Sequence, residues 1–136
     1  MRGFPPMLLD YRLAFETSKA AAEKGDLAAQ YRLGVMYGLG LGVAQDYSEA
    51  VRWYRRAARA GDARSQSNLG FMYGTGRGVP QNYIQAYAWY NVASASGEDS
   101  ARRSRDAVAG RMSTSQIEKA QKLSAEIFDQ IDRGSS

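Results

Sequence analysis

The 136-residue chain contains no cysteine and no histidine. Without cysteine it can form no disulfide, no thiolate nucleophile and no cysteine-based zinc site. Without histidine it also lacks the usual partner of a nucleophilic side chain. No apolar run approaches the roughly 18 residues that a membrane-spanning helix needs. The opening segment, MRGFPPMLLD, has one arginine and a short apolar patch broken by Pro5 and Pro6, and it does not read as a signal peptide. Charge of either sign is modest. The formal net charge is +4, carried mostly by arginine, which permits a polyanionic partner without requiring one.

Internal repetition is the dominant feature of what remains. LGVMYGLGLGVAQDYSEAVRWYRRAARAGD begins at Leu33, and LGFMYGTGRGVPQNYIQAYAWYNVASASGE begins at Leu69, 36 residues later. Gly25, Gly61 and Gly97 keep that spacing, as do Tyr11, Tyr47 and Tyr83, and Ala14, Ala50 and Ala86. A period of this length marks a repeat architecture in which stacked units share one core.

Each unit reads as two helices. Leu33, Met36 and Tyr37 lie on one helical face, and Leu69, Met72 and Tyr73 repeat it, which predicts first helices over about Leu27–Tyr37 and Ala63–Tyr73. Asp46 followed by Glu49, and Asn82 followed by Gln85, have the spacing of capping boxes at the start of second helices. Ala50, Trp53, Tyr54 and Ala57 then form a stripe matched by Ala86, Trp89, Tyr90 and Ala93, which argues for core packing in which the tyrosine hydroxyls find partners. Gly61 and Gly97 stand where a helix end needs a left-handed residue. Gly34 and Gly70 are small enough for paired helices to approach closely.

The flanks are weaker copies. Leu8–Glu23 reads as a lone second helix, with Thr17 and Ser18 in place of the aromatic pair. The segment 97–136 reads as a degenerate first helix followed by a helix that opens with a Ser115–Glu118 capping box and seals the C-terminal end, with Ile117, Ala120, Leu123, Ile127 and Ile131 on one face. The expected organisation is one domain: a half repeat over 1–24, repeats over 25–60 and 61–96, and the degenerate unit over 97–136. That makes about seven helices and no strands.

On these residues the chain resembles the Sel1-like repeat proteins, relatives of the tetratricopeptide group. Ala29, Leu33, Gly34, Tyr37, Gly40, Gly42, Val43, Asp46, Ala50, Trp53, Ala57, Ala58 and Gly61 fill the family pattern in order. The second copy follows it from Leu69 to Gly97, with Ser65, Asn82 and Ser94 as departures. The resemblance implies an all-α, right-handed solenoid of antiparallel helix pairs that serves as a protein-interaction scaffold, in bacteria often in signalling or at the cell envelope. It carries no catalytic residue set.

The residues themselves bear on three kinds of chemistry. The glycine loop YGLGLGV follows a helix and lacks the Lys-Ser/Thr of a phosphate loop, so it reads as a turn between antiparallel helices, with Val43 and Val79 tucked inward. The carboxylates are scattered and form no acid–base pair, and no metal site or cofactor motif is present. Arg52, Arg55, Arg56 and Arg59 share one face of a second helix, and Arg102, Arg103, Arg105 and Arg111 cluster later. Such rows could meet nucleic acid or anionic lipid. However, the first row becomes Ala88, Asn91, Val92 and Ala95 in the next copy, and this break in the row disfavours nucleic acid.

Positions that differ between copies are the better guide to binding. On the first helices, Ala28, Tyr31 and Val35 become Arg64, Ser67 and Phe71. In tetratricopeptide-like solenoids this face lines the concave groove. Tyr31, Val35, Ser67 and Phe71, flanked by Arg64 and Arg103, would suit an extended or helical peptide with an acidic group. The competing expectation is that Val35 and Phe71 are ordinary core. A monomer or weak homo-oligomer is expected, with self-association through Ile127, Phe128 and Ile131 as a further alternative.

Overall fold

In a computed structural model, which describes residues 6–135, the chain folds into seven helices. They are α1 (Pro6–Glu23), α2 (Leu27–Leu39), α3 (Tyr47–Arg59), α4 (Ala63–Thr75), α5 (Tyr83–Ala95), α6 (Ser100–Ala109) and α7 (Thr114–Ser135). No strand occurs among the described residues. Arg2 and Pro5 of the opening segment lie outside them. Consecutive helices from α1 to α6 pack against one another, and this gives the solenoid.

Short polar side chains start the helices. Asp26 accepts from the Ala29 amide at 3.0 Å, Asp46 from Glu49 at 3.2 Å, Asp62 from Ser65 at 3.0 Å and Asn82 from Gln85 at 3.1 Å. The capping boxes expected at Asp46 and Asn82 are only half made. The backbone N–H groups of these two residues donate to the carbonyls of Tyr37 and Tyr73, each at 2.9 Å, and so tie the start of each second helix to its first helix. The reciprocal box at the start of α7 joins Ser113 and Gln116, at 3.1 and 2.9 Å, and not Ser115 and Glu118. Both pairs have the right spacing, and the earlier cap gains two more helical residues.

Glycine ends the second helices and locks the repeats together. Gly61 has φ +100°, and the Asp62 and Gly61 amides donate to the carbonyls of Ala57 and Ala58, the bonding pattern of a left-handed helix stop. The glycine loops go further than a turn. Gly42 and Gly78 have φ +73° and +74°, and their α-carbons press on the backbone of the preceding second helix, at Tyr11 and Tyr47. A side chain there would collide with main chain. The loop therefore clamps each repeat to the one before it. Val43 and Val79 are half-buried, and Val79 packs on the core.

Two further repeated devices build the core. The Tyr54 ring lies across Gly34 and the Tyr90 ring across Gly70, so the small residue admits an aromatic ring. Gln30 and Gln66, fully buried, donate their side-chain amides to the carbonyls of Ala22 and Ala58, each at 3.1 Å. They fasten each first helix to the end of the preceding second helix.

α7 does not pair with α6. It packs along α5 and reaches the end of α3, where Ile131 lies 3.9 Å from the position a Gly61 β-carbon would take. Asn91 donates to Ser124 at 3.0 Å, and Gln121 lies 3.5 Å from the Tyr87 hydroxyl. Ile127 is buried, and Leu123, Phe128 and Ile131 pack on the core cluster that contains Ala88 and Val92. The apolar residues named for self-association are therefore turned inward. The same packing explains why the arginine row stops. Ala88 and Val92 on α5 are fully buried in that cluster, whereas the equivalent Arg52 and Arg56 on α3 are exposed.

Candidate ligand groove

Equivalent positions of α2, α4 and α6 enclose two neighbouring pockets. The first, about 260 Å³, lies between α2 and α4, and its lining includes Val35, Leu39, Tyr54, Asn68 and Phe71. The second, about 370 Å³, lies between α4 and α6, and its lining includes Phe71, Thr75, Tyr90, Ser104 and Val108. Phe71 is the wall common to both. Phe71 is 43% exposed, and Leu39, which lines the same pocket, is 68% exposed.

The pocket floors repeat as the sequence does. The first holds Tyr54 beside Asn68, and the second holds Tyr90 beside Ser104. Each pair joins a second helix to the first helix of the following repeat. Burial pushes the Tyr54 phenol up to about 12 against the opposing effect of Asn68, and it raises Tyr90 against that of Ser104. Both phenols are therefore neutral over the physiological range.

Cations rim the groove. The Arg77 guanidinium lies 5.1 Å from the Phe71 ring centre and 5.6 Å from that of Tyr47. Arg64 covers the Tyr31 ring at 4.4 Å and also pairs with Asp62 at 3.4 Å. Arg111 lines the second pocket. No carboxylate lines either pocket.

The residues anticipated from copy-to-copy variation fall into three groups. Val35 and Phe71 line the first pocket, and Val35 also packs on the core. Tyr31 is half-buried, its ring centre 6.3 Å from that of Tyr54, with Arg64 exposed above it. Ser67 is half-buried and Arg103 exposed, and neither lines the two pockets. Sequence reasoning missed Leu39, Asn68 and Arg77. The signal for Arg77 was available, because it replaces Leu41 at one of the few positions where the two glycine loops differ.

On the second helices the arginine row is largely engaged. Arg52 and Arg56 flank Trp53 at 5.9 and 5.4 Å, Arg52 also meets Glu49 at 3.5 Å, and Arg55 donates to the Tyr73 hydroxyl at 3.0 Å. Arg105 of the later cluster donates to Asn91 at 2.9 Å and pairs with Asp106 at 3.0 Å. Among the described residues no group of His, Cys, Asp or Glu could hold a metal ion, and no helix is long and apolar enough to cross a membrane.

Comparison with known proteins agrees with this architecture. A protective antigen present in uropathogenic Escherichia coli strains, whose crystal structure displays an SLR fold, superposes with a TM-score of 0.86 at 33% identity, over 88% of this chain and 26% of that one. A Sel1 repeat protein from Oxalobacter formigenes superposes with a TM-score of 0.67 at 34% identity, over 69% of this chain and 39% of that one. The chain thus spans well under half the length of either protein. No curated protein sequence matches it significantly. The Sel1 repeat model matches residues 27–62 and 63–98, more than half of the chain. Members of that family are generally protein-interaction scaffolds, and by its two matched repeats and its solenoid fold this chain belongs to the Sel1 repeat family.

Proposed function

We propose that the protein is a non-enzymatic scaffold that binds a protein or peptide along the α2–α4–α6 face, in the manner of an adaptor in a bacterial signalling or envelope process. The observation that carries this reading is the exposure of Phe71 and Leu39 beside two preformed pockets. Large apolar side chains left in water at a concave, rigid site are the usual mark of a binding surface. Rigidity contributes as well. The helix pairs are fixed by the glycine clamps and the Tyr–Gly contacts, so little ordering entropy is lost when a partner docks. The binding residues in this reading are Tyr31, Val35, Arg64, Ser67, Phe71 and Arg103 as anticipated, joined by Leu39, Asn68 and Arg77.

Affinity capture from the source organism, read by mass spectrometry, tests the proposal. A Leu39→Ala/Phe71→Ala variant, whose sites are both exposed, is expected to lose the captured partner while its circular dichroism and melting temperature stay close to those of the parent. Capture that survives this variant but fails on Arg52→Ala/Arg56→Ala would move the binding surface to the second helices and overturn it.

A further inference from the structure

The groove's two pockets, its rim of cations and its polar floor together specify a ligand chemistry. We infer that the groove reads an extended, acidic segment carrying two bulky apolar residues three positions apart, one seated on each side of Phe71. This inference rests on the scaffold reading and narrows it.

The first argument is charge. Arg77 stands over the Phe71 ring at the mouth of the first pocket, and Arg111 lines the second. No carboxylate lines either pocket to neutralise them. At this rim Arg64 pairs with Asp62. A ligand carboxylate near Phe71 therefore meets a cation already desolvated on one side by an aromatic face, where an ion pair is stronger than in open water.

Spacing supplies the second argument. The pockets are neighbours that share Phe71 as a wall, so a ligand that fills both places two side chains on one face at the shortest same-face spacing it has. Three residues of a polyproline-type extended chain cover about 9 Å and bring the fourth side chain back to the same face. An apolar residue, two spacers and a second apolar residue thus match the two pockets, and acidic spacers between them pass under Arg77.

The floor supplies the third. Asn68 and Ser104 occupy equivalent positions, one in each pocket, where they line it together with Tyr54 and Tyr90. The side-chain amide of Asn68 and the hydroxyl of Ser104 have further donor or acceptor capacity facing the pockets. Only an extended ligand has free main-chain N–H and C=O groups to use it, because a helical ligand satisfies its own.

The test is selection of a phage-displayed library of random twelve-residue peptides on the immobilised full chain, with Phe71→Ala as the counter-screen. Peptides lost in the counter-screen are expected to share two large apolar residues three positions apart with Asp or Glu between or beside them. A synthetic peptide of the enriched sequence is expected to bind about tenfold more weakly to Arg77→Gln, and more weakly to the parent at 300 mM than at 50 mM salt. Phe71-dependent peptides that lack acidic residues, or whose apolar residues recur every seven positions as on a helix, would overturn this inference and leave the scaffold reading standing. A selection that yields no Phe71-dependent peptide would overturn both.

Discussion

Replacing Gly34 with alanine tests the packing device on which both the core and the first pocket depend. A β-carbon at Gly34 would stand 2.8 Å from Cζ of Tyr54 and closer still to the ring edge. The ring cannot swing away cheaply. It is only 5% exposed, and the Tyr31 ring, its centre 6.3 Å away, packs beside it. Overpacking of this kind costs about 3 kcal/mol at the upper end of its usual range. Alanine's higher helix propensity returns about 1 kcal/mol. The net destabilisation is thus about 2 kcal/mol. Gly70 provides the internal control, because its β-carbon would lie 3.0–3.1 Å from the Tyr90 ring, a strain that a shift of a few tenths of an ångström relieves. Gly70→Ala should therefore cost about 1 kcal/mol or less once its propensity gain is counted. Urea unfolding reads both as a lowered midpoint at unchanged slope. In a Tyr54→Leu background the Gly34 penalty should largely disappear, a coupling visible in a double-mutant cycle. A Gly34→Ala variant as stable as the parent, or a Gly70→Ala variant that loses more, would refute the reasoning.

Three further outcomes are expected. Gly78→Ala combines a left-handed φ with collision against the Tyr47 backbone and should lose more than about 2 kcal/mol, whereas Gly97→Ala, with φ +107° but open space around it, should lose about 1 kcal/mol; thermal melts compare them. The Tyr54 phenol is raised from 10 to about 12 in the folded chain, so the folded state holds its proton more tightly. The associated stability is present below pH 10 and is lost as pH rises from 10 through 12, and Tyr54→Phe should flatten that part of an alkaline denaturation curve. Deleting α7 from Thr114 onward should expose Ala88 and Val92 and give a chain that associates or unfolds in sedimentation velocity, while Ser113→Ala should cost only about 1 kcal/mol as a lost cap.

The helix pairs were legible because every signal at 36-residue spacing pointed the same way. Leu33 and Leu69, the Trp–Tyr stripes and the chain-stopping glycines each appear twice in compatible environments. What the sequence concealed lies where one repeat meets another. Gly42 and Gly78 read as flexible turn residues, yet they are required by backbone contact with a helix some 30 residues earlier. Nothing in the helical periodicity marks Gln30 and Gln66, which are buried and bonded across the repeat junction. The break in the arginine row of α3, read as disfavouring nucleic acid, arises because α7 covers the equivalent face of α5. The groove was partly legible. Variation between copies pointed to Val35 and Phe71, but Leu39, Asn68 and Arg77 join them only through the packing of one repeat on the next, which periodicity along one helix cannot express.

The central claim is that the concave face, and not the arginine-bearing second helices, receives the partner. Photo-crosslinking in cells measures this directly, with a benzophenone side chain placed at Phe71 in one variant and at Arg59 in another. The account predicts a discrete crosslinked protein at position 71 that is absent at position 59 and is lost when Arg77→Gln is added. A crosslinked product at position 59 with none at position 71 would contradict it.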